Sequence, residues 1–149
     1  MGKYAENTSV SVDKSRAEIE KTLSRYGANK FMYGWDEGRA MIAFTVNKRN
    51  IKFIVPLPFP EDYKTTPTGR TRKDNQVNEA FEQATRQKWR ALSLAVKAKL
   101  EAVESGIATF EQEFLAYMVL PGGRTVAEAI VPQIEQSYES GKDIKLIEL

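Results

Sequence analysis

Cysteine and histidine are both absent from the 149 residues. Without cysteine there is no disulfide framework, thiolate zinc centre, iron–sulfur cluster or thiol nucleophile. Without histidine the chain loses Ser-His-Asp triads, imidazole-ligated metals and the side chain that moves protons near neutral pH. Charge of one sign is not in excess either: 22 basic and 20 acidic side chains leave a net +2, which by itself names no partner. No apolar run approaches the ~20 residues needed to cross a bilayer, and the polar stretch Met1–Val12 does not read as a secretory leader. The expectation is a soluble cytoplasmic protein with no membrane partner, no cofactor and no metal. It is also one without catalytic activity, because no carboxylate constellation replaces the missing groups.

What is present is pattern. A chain of this length buries roughly 70% of its unfolded surface as one domain, so residues 1–149 are read as a single unit. Asp13 or Ser15 can cap a first helix, Ser15-Arg16-Ala17-Glu18 has capping-box spacing, and Ile19, Leu23 and Tyr26 make one apolar face before Gly27. From Lys30 the period changes to two. Phe31, Tyr33 and Trp35, then Ile42, Phe44 and Val46, then Ile51, Phe53 and Val55 alternate, separated by the turns Asp36-Glu37-Gly38 and Asn47-Lys48-Arg49-Asn50. Three such runs predict an antiparallel meander with one buried face.

Pro56, Pro58 and Pro60 end the sheet, since proline cannot donate to a ladder. Residues 61–73 carry no apolar period and read as an exposed, mobile basic loop. A long helix is predicted from Asp74 or Asn75 to Gly106, with Val77, Phe81, Ala84, Trp89, Leu92, Val96, Leu100 and Val103 along one stripe. A second capping box at Thr109 opens a shorter helix. A third at Thr125 opens a last one that contains Pro132 and ends at Gly141. The expected class is α+β: a helix, a three-stranded antiparallel meander, a long helix, then short C-terminal helices, with the helices on one face of the sheet.

In element order the first five segments are similar to double-stranded-RNA-binding domains, and the β-β-β-α part to the core of some single-strand annealing proteins. That likeness is one of order alone. Over Ser9-Val10-Ser11-Val12-Asp13, Lys30–Val55, Trp89–Glu104 and Leu120-Pro121-Gly122-Gly123-Arg124-Thr125-Val126, the chain resembles a family of small proteins of bacteriophages and bacterial genomes. The resemblance implies a mobile-element setting. It carries over no functional residue.

Net charge conceals a segregation. Residues 1–63 balance at +2, residues 64–99 at +6 and residues 100–149 at −6. A basic middle segment points to an anionic partner. Lys64, Arg70, Arg72 and Lys73 lie on the loop among Thr65, Thr66, Thr68 and Thr71, and guanidinium and hydroxyl donors together suit phosphate oxygens. Arg86, Arg90 and Lys97 share one face of the long helix, roughly opposite the Phe81–Leu92–Val96 stripe, and are expected to join the loop in one basic surface that Lys48, Arg49 and Lys52 extend. The bland alternative is a solvated helix face whose cations pair with nearby glutamates.

Other features weigh less. Gly122-Gly123-Arg124-Thr125 before a helix offers amides and Arg124 to an anion, but it lacks the full phosphate-loop pattern, and a turn with a capping box explains it. Phe31, Tyr33 and Trp35 are spaced as stacking platforms for bases, and equally as the core face of a strand. Asp62-Tyr63-Lys64 with Asp36 has an acid-x-lysine order found in metal-dependent nucleases, but it follows three prolines and not a strand. Glu18 and Glu20 read as solvated, and Tyr4, Tyr63 and Tyr138 fit no pattern. The leading expectation is a non-enzymatic protein that binds nucleic acid or another phosphorylated ligand. Its site residues are Lys64, Arg70, Arg72, Lys73, Arg86, Arg90, Lys97 and Arg124. Sequestration of a nucleotide, inhibition of a host protein as a counter-defence factor, and self-association are the competing roles.

Overall fold

The first helix, α1 (Val12–Arg25), is capped by Ser11 and not by Asp13 or Ser15. Ser11 Oγ accepts the Lys14 N–H at 3.1 Å, as a cap residue should. Ser15 instead lies one turn inside the helix, fully buried, with a hydroxyl that makes no hydrogen bond. The computed structural model describes residue 5 and residues 7–145; Tyr4 lies outside the described residues.

Strands β1 (Lys30–Asp36), β2 (Arg39–Val46) and β3 (Arg49–Pro56) form the antiparallel meander in the order β1-β2-β3. Register places Phe31 opposite Phe44 and Tyr33 opposite Ile42, and Ile42 and Phe44 in turn face Phe53 and Ile51. The side-chain period of two then gathers these apolar residues on one face. The β2–β3 connection is tighter than the sequence implied. Arg49 and Asn50 pair with Val46 and Thr45, which leaves Asn47 and Lys48 as the turn at φ +50° and +63°. At the other turn Gly38 has φ +83°, and the Phe59 ring lies over it where a Cβ would stand. The proline segment therefore folds back across this turn, and Leu57 N–H donates to Gly38 O at 2.9 Å.

Helix α2 (Asp74–Glu104) crosses the inner face of the sheet and buries Ala84, Trp89, Ser93, Val96 and Leu100. Ile19 and Leu23 of α1 complete the same core beside it. Helix α3 (Phe110–Phe114) starts from the predicted Thr109–Gln112 capping box and adds Phe110 and Phe114. The chain then makes a 3-10 turn, Leu115–Tyr117, and pairs Met118 with Ile51 along the outer edge of β3. Thr125 Oγ1 caps α4 (Val126–Ser140) by accepting the Glu128 N–H at 3.2 Å. Helix α4 continues through Pro132, rests on the 3-10 turn and buries none of its residues. The architecture is the α+β order expected, with the long helix and its neighbours on one face of a three-stranded sheet. No helix among the described residues is long and apolar enough to cross a membrane.

Candidate nucleic-acid interface

Segment 61–73 is exposed, and it has a defined conformation. A 3-10 turn (Pro60–Tyr63) is closed by Asp62, whose carboxylate accepts the Phe59 N–H at 3.2 Å. Thr65 and Thr71 then pair across a miniature hairpin. Thr66 N–H donates to Arg70 O at 2.7 Å and Arg72 N–H to Lys64 O at 2.8 Å. Arg72 is a structural brace here, not a free cation. Its Nη1 donates to the carbonyls of Tyr63 and Thr65, each at 3.0 Å. Thr66 and Thr68 hydroxyls are bonded to each other at 3.0 Å, and Thr66 Oγ1 also accepts the Arg70 N–H. Lys64, Arg70 and Lys73 remain, exposed and with no side-chain partner among the described residues. Asp62 Oδ2 is engaged in this turn, and the acid-x-lysine triplet lies on a 3-10 turn and not on a strand. Among the described residues no cluster of three acidic side chains could hold a metal ion.

Arg86, Arg90 and Lys97 share a side of α2, as expected, about 60–100° round from Trp89 at 100° per residue, but two of the three are engaged. That side borders α1. Arg90 Nη1 meets Glu18 Oε2 at 2.5 Å, which also removes Glu18 from the solvated set. Arg86 donates from Nε and Nη2 to Gln83 Oε1 at 3.1 and 2.5 Å. Both guanidinium groups are half-buried and engaged; Lys97 is exposed and without a partner among the described residues. The eight predicted residues do not form one surface. Lys64, Arg70 and Lys73 cluster at the N-terminal end of α2, whereas Lys97 lies ~36 Å further along the helix at 1.5 Å per residue. Arg124 sits elsewhere, in the turn between Leu120 and Thr125 beside β3. There Gly123 N–H donates to Leu120 O at 2.8 Å and Lys52 Nζ donates to Gly123 O at 3.3 Å. That amide is thus committed within the turn.

Phe31 and Tyr33 lie on the inner face of the sheet and pack on the core, and only Trp35, at the strand end, is open to solvent at 71%. The outer face holds what the sequence reading passed over. Successive cross-strand rows read Lys30-Thr45-Asn50, Met32-Ala43-Lys52, Gly34-Met41-Ile54 and Asp36-Arg39-Pro56. An apolar centre is thereby ringed mainly by cations. The signal was available in the even-numbered positions of β1 and β3, where a wet face usually carries polar residues. No protein-family model, curated protein or solved structure matches the chain. Its functional reading rests on this geometry.

Proposed function

We propose that the protein is a non-enzymatic nucleic-acid-binding protein of a mobile element, and that it grips phosphates with Lys64, Arg70 and Lys73. One observation carries the reading. Lys64 and Arg70 on a hydrogen-bonded hairpin and Lys73 at the α2 N-cap stand exposed and unpaired among the described residues, while neighbouring arginines are consumed by carbonyls and carboxylates. A scaffold already folded reduces the entropy lost on binding. Lysine and arginine aimed at phosphates supply affinity with little sequence preference.

The test is a titration of labelled DNA and RNA, single- and double-stranded, across a range of salt. Neutralising about three phosphates gives a slope of log affinity against log salt near −2 to −3. Replacing Arg70 and Lys73 together with alanine flattens the slope by roughly 1.5–2 units for every sequence, with unchanged melting. Lys97→Ala leaves it as it was. Wild-type protein that retards neither DNA nor RNA at low salt refutes the proposal.

A further inference from the structure

Two surfaces lack a partner among the described residues, and each has what the other needs. The outer face of the sheet exposes Met32 at 59% and Ile54 at 46%. Two open grooves of about 300 and 320 Å³ cross it and meet at Met41 and Lys52. Its charged groups are Lys30, Lys52, Arg39 and Asp36, the last two 3.9 Å apart, so the rim is net basic. Helix α4 presents Val131, Ile134 and Tyr138 at i, i+3 and i+7, all exposed. Glu128, Glu135 and Glu139 form the adjacent row about 90° round the helix, and α4 has no basic side chain. The start of α4 is pinned by the Val119–Thr125 bridge and by Val126 N–H to Met118 O at 2.9 Å; there Val126, Ala127, Ala129 and Ile130 are partly buried, while Val131, Ile134 and Tyr138 stay open.

We infer that α4 docks into the outer sheet face of a second copy of this chain. Charge selects this pairing among those a single sequence offers. Helix against helix sets glutamate against glutamate, and sheet against sheet sets lysine against lysine. Only the crossed contact joins apolar centre to apolar stripe with opposite charges alongside. Reciprocal exchange of α4 closes the pair as a two-fold dimer and covers both surfaces. The inference is independent of the hairpin reading, and failure of nucleic-acid binding leaves it standing.

The experiment is sedimentation equilibrium on the full chain, with circular dichroism and melting as fold controls. Wild type forms a concentration-dependent dimer. Met32→Ser and Ile134→Ser, both at exposed positions, each weaken it. Two double variants, Glu135→Lys with Glu139→Lys and Lys30→Glu with Arg39→Glu, each raise the dimer dissociation constant about tenfold or more. Mixed in equal amounts they associate again, since each then offers the other a complementary helix and sheet. A monomeric wild type overturns the inference. So does a dimer indifferent to Met32→Ser, or to either charge reversal, or a mixture that stays monomeric.

Discussion

Trp89 shows how much one side chain does in this fold. It is 1% exposed and meets Tyr33 edge-on, with ring centroids 5.4 Å apart and planes at 62°. Arg16 of α1 closes the outer side of Tyr33, its guanidinium carbon 4.2 Å from the ring centroid. Sheet, α1 and α2 are thus joined through a single stack. Trp89→Ala is expected to cost ~3–5 kcal/mol, the usual range for emptying a large buried aromatic site, and urea unfolding monitored by circular dichroism measures it. An unchanged midpoint contradicts the burial. A second tie acts at the far ends of the same two helices, where Tyr26 Oη donates to Glu104; that hydrogen bond raises the phenol pKa above its ordinary value.

Among the elements, the hairpin at 64–72 is held by main-chain hydrogen bonds and by the Arg72 guanidinium, not by apolar packing. Arg72→Ala therefore frees the carbonyls of Tyr63 and Thr65 and loosens this element while the core persists. Limited trypsin digestion is expected to cut at Lys64, Arg70 and Lys73 several-fold faster in the variant, with far-ultraviolet dichroism unchanged; equal rates contradict the bracing role. This hairpin was illegible in the sequence because backbone pairing leaves no hydrophobic period to read. The strands were legible, since alternation at Phe31–Val55 maps directly onto a two-sided sheet. So were the capping box at Thr109 and the simple cap at Thr125, because a cap is a contact between near neighbours. The roles of Arg86 and Arg90 were half legible. Their shared side follows from 100° per residue, but the presence of Glu18 beside it depends on α1 packing across 72 residues of sequence. The outer sheet face was legible too, since Met32, Met41 and Ile54 stand where a wet face carries polar residues; alternation tells nothing, however, about what covers them.

Across the whole molecule, burial is uneven. Strand β2 is paired on both sides and α2 lies over the core, whereas α4 buries no residue. Amide exchange should follow that gradient in dilute solution: slowest in β2 and central α2, intermediate in α1, fastest in α4. Mass spectrometry of the exchanged chain checks the order, and a slowly exchanging α4 at low concentration contradicts it. The same layout governs how the chain is made. The meander closes locally, but α1 finds its ion-pair partner only when Arg90 emerges, 72 residues after Glu18. At about 5–20 residues per second that interval is roughly 4–14 s. Until it ends, Ile19, Leu23 and, once residues 30–56 are made, the inner sheet face have no Trp89 to cover them. The nascent chain thus passes through a stage with its most aggregation-prone surfaces bare, and it is the arrival of the long helix that ends it.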